Sequence, residues 1–434
     1  MIFNPDFECM PVDKLRKLQS DRLKDQVATL YNNVPFYRRK MDEKGVKPQD
    51  IKNIGDIHKL PLTYKTDLRD EYPFGFFIKP VEKLARIHCS SGTTGKPVVV
   101  GYSKNDLEVF SEGVARSLAA AGAKPGMMLH NAYGYGLFTG GLGLHGGAEK
   151  LGMTVVPVSG GMTERQLTLL CDFKPEVICC TPSYAQTLAH EHKKRGLPPI
   201  HLKYAVLGAE PWNEAIRDDV ETGLNVTATN IYGLSEIIGP GISQEDFEEK
   251  GSGSYIWEDH FFPEILDPKT FEPLPEGERG VLTFTNLTKT GMAMLRYVTN
   301  DITWLSYENS GKRTHIKMGP IIGRNDDMLT IRGVNFFPGQ VEDIVHKFDD
   351  LAPMFLLTVD RIDSLDRMRI DVETVDGLQL SDSEKGNLSG QVVAIIKDTI
   401  GVSVSVFINE YGIMPRSEGG KISKIKDLRH IRPE

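Results

Sequence analysis

Short apolar runs alternate with longer amphipathic segments between about residues 100 and 235. The runs recur at residues 153–161, 176–182, 204–211 and 226–236. The segments between them place apolar residues at helical spacing, and in one of these Thr163 and Gln166 form a capping-box pattern that predicts a helix start. This alternation is typical of strand and helix units around a parallel sheet. We therefore predict an α/β core in this part of the chain.

The pattern changes at about residue 253, where Pro and Gly turns separate alternating apolar positions. Alternation of this kind predicts the hairpins of a β subdomain. Beyond residues 323–327 the chain offers helix, strand, strand, helix and strand patterns over about a hundred residues, which indicate a compact α+β unit. The predicted fold class is therefore α/β, with a large N-terminal domain at 1–325 and a small C-terminal domain at 326–434.

The composition is that of an ordinary globular protein, because 40% of the 434 residues are hydrophobic and 25% are charged. A formal net charge of −8 argues against general binding to nucleic acid or to an anionic membrane. The apolar runs are too short to cross a bilayer, and we expect a cytoplasmic location. Five cysteines without a CxxC pair predict reduced thiols, with Cys179 and Cys180 as core residues.

The clearest chemical segment lies between two apolar stretches and contains Ser90, Ser91, Gly92, Thr93, Thr94, Gly95, Lys96 and Pro97. Small residues let backbone N–H groups approach phosphate oxygens, while the hydroxyls and Lys96 add donors and charge. The spacing is not that of a Walker A loop. A flexible strand connector is the alternative, but this composition favours a phosphate-binding loop.

The segment resembles the phosphate loop of the adenylate-forming superfamily, which contains acyl-CoA synthetases, adenylation domains and luciferases. Other superfamily signatures follow in order, as YGLSE at 232–236, RYVTNDIT at 296–303, GRNDDMLTIRG at 323–333 and GGKISK at 419–424. Further stretches, including GAEPW at 208–212 and WEDHFFPEILDP at 257–268, look most like the phenylacetate-CoA ligase family. The resemblance covers nearly the full chain.

This resemblance implies ATP, Mg²⁺ and coenzyme A as cofactors and co-substrates. Tyr232 would lie against adenine, with Ala209, Glu210 and Pro211 lining the same site. Glu236 would hold Mg²⁺, a hard cation that prefers carboxylate oxygen. Asp301 and Arg324 would bind the ribose hydroxyls. Lys421 would stabilise charge on the substrate carboxylate and α-phosphate during adenylation. Lys424 remains a rival for this role because an additional Gly precedes Lys421.

The resemblance also implies a pocket for the acid and a mobile C-terminal domain. The expected pocket residues are Tyr135, Phe138, Thr139, Gly140, Ala209, Ile237, Gly239 and Pro240, for which ordinary core packing is the alternative. An aromatic ring could pack edge-to-face on Tyr135 and Phe138. Asp326 matches the hinge about which the small domain would rotate, and Gly333 would line the pantetheine tunnel.

The predicted function is an acid–thiol ligase that adenylates phenylacetate, or a close arylacetic acid, and transfers the acyl group to coenzyme A. AMP and pyrophosphate would be released, and the resemblance implies that a homodimer is possible. Alternatives are a ligase for another aromatic acid, such as indoleacetate or benzoate, and a dinucleotide-dependent oxidoreductase. The oxidoreductase alternative rests on Gly141, Gly143 and Gly146, which satisfy GxGxxG.

Overall fold

The computed structural model describes residues 1–90, 96–307, 311–325, 329–331, 334–362, 365–414 and 424–429. The α-helices of these residues are α1 (Pro5–Glu8), α2 (Val12–Asn33), α3 (Pro35–Glu43), α4 (Lys65–Asp70), α5 (Lys104–Ala120), α6 (Gly140–Leu151), α7 (Thr163–Phe173), α8 (Pro182–Lys194), α9 (Glu214–Leu224), α10 (Pro338–Val345) and α11 (Asp382–Ile400). Short 3₁₀ turns lie at Pro48–Asp50, Ile54–Lys59 and Val81–Lys83.

The strands of the same residues are β1 (Arg86–Cys89), β2 (Val99–Tyr102), β3 (Met128–Asn131), β4 (Thr154–Val156), β5 (Val177–Cys180), β6 (Tyr204–Gly208), β7 (Thr227–Leu234), β8 (Gly239–Glu245), β9 (Ser254–Ile256), β10 (Phe261–Leu266), β11 (Gly280–Asn286), β12 (Tyr297–Thr303), β13 (Leu305–Ser306), β14 (Lys317–Met318), β15 (Gly323–Arg324), β16 (Leu329–Ile331), β17 (Val334–Phe336), β18 (Leu351–Ile362), β19 (Leu365–Thr374), β20 (Ser405–Asn409) and β21 (Ile425–Asp427).

Within the described residues, one mixed sheet runs β13-β14-β9-β8-β7-β6-β5-β3-β4. Strands β3 to β7 are parallel, and β8 begins an antiparallel edge. Successive residues of a strand face opposite sides of a sheet. Cys179 accordingly joins a core with α5 and α6, while Ile178 and Cys180 join a core with α7, α8 and α9. The predicted α/β core is confirmed, and both thiols of β5 are fully buried.

Two smaller sheets follow. The first runs β10-β11-β12-β15, and its register places Asp301 opposite Arg324. The second runs β20-β19-β18-β21 and packs with α10 and α11 around a separate core that includes Val341, Leu357 and Val392. The predicted β subdomain and α+β unit are thus both present. Their predicted boundary at Asp326 lies outside the described residues and stays a prediction.

Helix α7 corrects one local prediction. The helix begins at Thr163, and the residue before it, Met162, has the left-handed φ of 54° without a side-chain cap. Buried Gln166 instead donates to the carbonyls of Ser159 at 2.7 Å and Gly161 at 2.9 Å. The predicted capping box is therefore wrong, because Gln166 satisfies carbonyls of the preceding loop rather than the helix N-terminus.

No described helix is both long enough and apolar enough to span a bilayer. Helices α2 and α11 have the greatest lengths, 22 and 19 residues, and both contain charged side chains. The expected cytoplasmic location and the homodimer stay predictions.

Candidate active site

The hairpin of β1 and β2 forms the base of the predicted phosphate loop. Cys89 pairs with Val99, the Ser90 N–H donates to the Val98 carbonyl at 2.9 Å, and the Val98 N–H donates to Ser90 Oγ at 3.3 Å. Lys96 is exposed, with Nζ 5.4 Å from the Tyr72 ring centroid. Ser91, Gly92, Thr93, Thr94 and Gly95 lie outside the described residues, so their role stays a prediction.

Tyr232, Asp301 and Arg324 come together from three strands. The Tyr232 hydroxyl donates to Asp301 Oδ2 at 2.5 Å, and an Arg324 guanidinium nitrogen lies 3.7 Å from Asp301 Oδ1. Burial and the neighbouring Asp301 carboxylate raise the pKa of Tyr232 well above its usual value. The tyrosine is therefore a neutral donor, and it fixes one oxygen of the carboxylate that was predicted to bind ribose.

Glu236 lies in the turn between β7 and β8 and is only 6% exposed. Burial and this carboxylate raise the pKa of the neighbouring Tyr297 well above its usual value. Among the described residues no group of three His, Cys, Asp or Glu could hold a metal by itself. Mg²⁺ is commonly bound through one or two protein carboxylates together with substrate phosphates, so Glu236 fits this ion.

The segment that follows β6 has an unusual backbone. Ala209 has a φ of 72°, a left-handed conformation that side chains other than Gly rarely adopt. A Cβ at Gly208 would lie 2.1 Å from the Ile231 carbonyl oxygen, so this strand end requires Gly. Glu210 Oε1 accepts a 2.7 Å bond from the Ser183 N–H at the start of α8. The predicted adenine-site residues thus form a constrained loop, in which Glu210 also caps a helix.

Tyr135 belongs to a hydrogen-bonded group that the sequence did not reveal in full. Its hydroxyl accepts from Asn131 Nδ2 at 2.7 Å and lies 3.1 Å from His145 Nδ1. Burial raises the pKa of Tyr135 to about 12. Asn131 ends β3, and ligands of α/β sheets bind beyond the carboxyl ends of such strands. That position was the signal from which Asn131 could have been found.

The remaining acid-pocket candidates surround the start of α6 and the turn that carries Glu236. Thr139 Oγ1 lies 3.1 Å from Ser235 Oγ, which places the predicted acid loop beside the predicted metal ligand. Phe138 is 36% exposed, whereas Ile237 is fully buried. Gly239 has a φ of 115°, and a Cβ there would lie 2.4 Å from the Phe110 ring. The described positions that remain are Gly140, at the first residue of α6, and Pro240, opposite Gly233 in β8.

The glycines that suggested dinucleotide binding lie inside α6. Gly141, Gly143 and Gly146 belong to this helix rather than to a tight turn between strand and helix. A Cβ at Gly143 would lie 2.1 Å from the Phe110 ring, and one at Gly141 would lie 2.4 Å from the Gly134 carbonyl oxygen. Their small size permits close packing, so the oxidoreductase alternative is not favoured.

The described part of the C-terminal unit contains Lys424 but not its rival. Lys424 Nζ pairs with Glu342 Oε1 at 2.5 Å and lies 5.4 Å from the Phe355 ring centroid. Its ammonium is therefore already engaged within this unit. Lys421, Asp326 and Gly333 lie outside the described residues, and their roles stay predictions.

Comparison with known proteins defines the class. The AMP-binding enzyme family matches residues 13–290, and the AMP-binding enzyme C-terminal domain matches residues 333–429. The chain belongs to the AMP-binding enzyme family, and its predicted place in the adenylate-forming superfamily is confirmed. It is 58% identical to the phenylacetate-coenzyme A ligase of Thermus thermophilus, with 99% of this chain and 100% of the relative covered. It is 49% identical to the phenylacetate-coenzyme A ligase of Aromatoleum evansii, with 96% and 95% covered.

Among solved structures, the chain is similar to 2-hydroxyisobutyryl-CoA ligase in the postadenylation state, in complex with R3-HIB-AMP. The TM-score is 0.91 at 26% identity, with 98% of this chain and 92% of that chain covered. The same enzyme in the thioesterification state, with 2-HIB-AMP and CoA, gives a TM-score of 0.72 at the same identity and coverage.

Proposed function

We propose that this chain is an ATP-dependent ligase that converts phenylacetate, or a close arylacetic acid, to its coenzyme A thioester through an acyl-adenylate. The observation that carries the proposal is the near-complete alignment with phenylacetate-coenzyme A ligases. The proposal is supported by the grouping of Tyr232, Asp301 and Arg324 beside buried Glu236. Together they offer a carboxylate that can accept bonds from ribose hydroxyls, an aromatic ring, and a second carboxylate that can bind a metal.

In the first half-reaction, the acid carboxylate attacks the α-phosphorus of ATP and pyrophosphate leaves. Asp301 accepts hydrogen bonds from the ribose hydroxyls. Its carboxylate is held in place by Tyr232 at one oxygen and by Arg324 at the other. Glu236 would hold Mg²⁺, which neutralises phosphate charge when it is bound. Lys421 stabilises the charge that builds on the reacting oxygens, a role for which Lys424 is poorly placed because Glu342 pairs with it.

The acid would lie with its ring between Tyr135 and Phe138 and with its carboxylate toward the Glu236 turn. The bond between Thr139 and Ser235 joins these two regions. Tyr135 is held by Asn131 and His145, so its ring is fixed before the acid arrives, and a fixed aromatic wall favours edge-to-face packing. This arrangement supports an aromatic acid over an aliphatic one.

The second half-reaction requires coenzyme A to reach the adenylate, and the domain arrangement supports two separate states. The TM-score between this chain and one solved relative is 0.91 for the postadenylation state of that relative. It is 0.72 for the thioesterification state, although the coverage is the same. Asn213 Nδ2, just before α9, lies 3.0 Å from Asp343 Oδ1 of α10 and 2.8 Å from Nδ1 of His346, the residue that follows α10. We infer that these contacts belong to the adenylation state and break when the C-terminal unit rotates.

A cleft of about 510 Å³ lies between α8 and α9 on one side and the start of β18 with the turns after β19 and β20 on the other. His190 Nε2 lies 3.4 Å from Asp376 Oδ2 in this cleft. Its lining includes none of the described residues predicted to bind ATP or the acid. The cleft therefore marks the contact between the large domain and the C-terminal unit, and not the substrate site.

Replacing Asp301 by Ala should raise the KM for ATP about 10-fold or more, since a hydrogen bond to a charged group contributes roughly 1.5–3 kcal/mol. The KM for the acid should change little. Steady-state kinetics with each substrate varied in turn would measure both effects. Tyr232→Phe is the matched variant, because it removes one bond to Asp301 but keeps both the ring and the carboxylate. An equal rise in both KM values would contradict the ribose assignment.

Replacing Asp326 by Pro should preserve adenylation and suppress thioester formation, because Pro fixes φ and restricts a rotation about that residue. Acid-dependent exchange of pyrophosphate into ATP measures the first step, and release of acyl-coenzyme A measures the second. Equal loss of both steps would count against a hinge at Asp326.

The function itself is tested by pyrophosphate exchange across a panel of acids, repeated for thioester formation with coenzyme A. Phenylacetate should give the highest kcat/KM, and cyclohexylacetate is its matched aliphatic control of similar shape. Indoleacetate and benzoate test the alternative aromatic substrates. Equal rates with phenylacetate and cyclohexylacetate would exclude recognition of the aromatic ring, and absence of exchange with every acid would exclude adenylation.

A further inference from the structure

Asn213 lies at the contact between the large domain and the C-terminal unit. Its side-chain oxygen accepts a 3.1 Å hydrogen bond from the Ile216 N–H and thereby caps α9. Its amide nitrogen points to the other domain, where it lies 3.0 Å from Asp343 Oδ1 and 2.8 Å from His346 Nδ1. An amide nitrogen only donates, so the carboxylate and the ring nitrogen are both acceptors. The amide therefore caps a helix of one domain and donates two hydrogen bonds to the other.

The large-domain side of this contact is held rigidly. Trp212 Nε1 donates to Asn230 Oδ1 of β7 at 3.0 Å. Arg217, in the first turn of α9, lies 4.7 Å from the Trp212 ring centroid and donates to both oxygens of Glu245 at 2.9 and 3.1 Å. A bidentate pair of arginine and carboxylate has a defined geometry. The residue before Asn213 and the helix after it are thus both anchored to the central sheet.

The C-terminal side of the contact is anchored as well. Val341 of α10 is fully buried in the core of the C-terminal unit. Glu342, the next residue, pairs with Lys424 beside β21. Burial lowers the pKa of His346 below its usual value, so the ring is neutral and its Nδ1 can accept a hydrogen bond. The two acceptors that face Asn213 therefore move only with the whole C-terminal unit.

The second ring nitrogen of His346 limits the strength of the contact. His346 Nε2 is buried and has no hydrogen-bond partner among the residues that the structure describes. Because Nδ1 accepts from Asn213, the proton of the neutral ring lies on Nε2, and a buried donor without an acceptor costs free energy. The net stability of the contact is therefore modest, as is required of a contact that breaks in every catalytic cycle.

We propose that Asn213 is a positioning residue, which holds the C-terminal unit in the adenylation state through the two hydrogen bonds that its amide donates. The inference rests on the proposed function, in which the two half-reactions take place in different domain arrangements. Asn213 acts through the placement of the unit that carries Lys421. Loss of the two bonds should shift the population toward the thioesterification state, so the two half-reactions should respond differently.

The test is Asn213→Asp, which keeps the size of the side chain and the oxygen that caps α9 but replaces the donor by a carboxylate oxygen. The new carboxylate cannot donate to His346 and repels Asp343. Asp and Asn are equally good N-caps, so the unfolding midpoint should not fall. We expect acid-dependent pyrophosphate exchange to fall about 10-fold, while thioester formation from synthetic phenylacetyl-adenylate and coenzyme A is undiminished.

Binding of coenzyme A gives a readout that damage to the fold would not produce. With the enzyme saturated by phenylacetyl-sulfamoyladenosine, a stable mimic of the adenylate, isothermal titration calorimetry measures the apparent affinity for coenzyme A. This affinity scales with the population of the state that binds coenzyme A, so it should rise by up to about 10-fold in Asn213→Asp. Asn213→Ser keeps a cap but lacks both donors, and it serves as the second variant if the Asp variant does not fold.

The matched control is Gln186→Glu, which makes the same exchange of amide for carboxylate beside an aspartate of the same cleft. Gln186 Nε2 donates to Asp219 Oδ2 at 2.8 Å, but both residues belong to the large domain. This variant should therefore change neither pyrophosphate exchange nor the affinity for coenzyme A. The double variant Asn213→Asp with Asp343→Asn swaps donor and acceptor across the contact, and it should recover part of the lost exchange.

An equal loss of both half-reactions in Asn213→Asp would overturn the proposal, since it would show general damage rather than a shift between states. An unchanged affinity for coenzyme A, or a double variant that recovers no exchange, would overturn it as well. Pyrophosphate exchange by the natural chain, measured in parallel, tests the proposed function separately.

Discussion

Replacing Lys421 by Ala is expected to reduce acid-dependent pyrophosphate exchange by about 100-fold or more. The reason is electrostatic, because a single group aimed at developing charge in a site that excludes water commonly supplies a factor of about 10²–10³. Binding of ATP should change much less, since the ribose and metal contacts come from Asp301 and Glu236. Exchange rates at saturating ATP and acid would measure the effect on the chemical step.

Lys424→Ala is the matched control, three residues away and with the same change of charge. This variant loses the 2.5 Å pair with Glu342 and the contact with Phe355. It should therefore lower the unfolding midpoint while leaving pyrophosphate exchange within a few-fold of the natural rate. The opposite result, with exchange lost only in Lys424→Ala, would assign the catalytic role to Lys424.

A synthetic phenylacetyl-adenylate distinguishes a chemical role from a folding defect. Supplied with this compound and coenzyme A, Lys421→Ala should still form the thioester, because the adenylation step has been bypassed. Loss of this partial reaction in parallel with exchange would show that the variant is damaged beyond its charge.

The site residues that could be predicted from the sequence are those that lie in the ordered superfamily motifs. Tyr232 and Asp301 are 69 residues apart, yet both were predicted for the nucleotide site, and the structure joins them by a hydrogen bond. The register of β12 against β15 places Asp301 opposite Arg324 as well. The predicted roles of these residues come from their motifs, whereas their contacts depend on strand register and on the packing of two sheets, which no motif encodes.

Two polar residues of the acid region escaped prediction as partners of Tyr135. Asn131 ends a short strand, and His145 lies in a glycine-rich helix. Neither has a neighbour in sequence that indicates its partner. Gln166 was predicted wrongly for the opposite reason. Its sequence matches a capping box, but its side chain donates to buried carbonyls of the preceding loop instead of capping the helix.

The stretch at 257–268, which was used only as a family signature, has a structural explanation. Trp257, Glu258 and Asp259 are fully buried. Asp259 accepts bonds from Arg116 at 2.7 and 3.2 Å and pairs with Arg22 of α2 at 3.8 Å. Asp259 thus connects α2 and α5 to the start of β10. The sequence shows only that these residues are characteristic of the family. Their burial and contacts show that they hold separate segments of the large domain together.

Replacing Asp259 by Ala should lower the free energy of unfolding by about 3–5 kcal/mol, the cost of breaking a fully buried ion pair with Arg116, which keeps its pair with Glu112. Arg116 is itself fully buried, so its guanidinium would lose a bidentate acceptor and could not recover it from water. Urea unfolding followed by fluorescence would measure the change. The exposed pair of Lys150 and Glu108, at 3.1 Å, provides the control, and Glu108→Ala should cost no more than about 1 kcal/mol.

The loss of stability caused by Asp259→Ala should also depend on pH. Burial alone would raise the pKa of Asp259, but the charges of His260 and Arg116 outweigh it and hold the pKa below its ordinary value. A carboxyl with a depressed folded-state pKa contributes stability above its unfolded pKa, about 3.9, and loses it as the pH falls toward the folded value. The difference in stability between the natural chain and Asp259→Ala should therefore be constant from about pH 6 to 8 and shrink below about pH 4. A difference that stays constant down to about pH 3 would mean that Asp259 acts through packing and not through its charge.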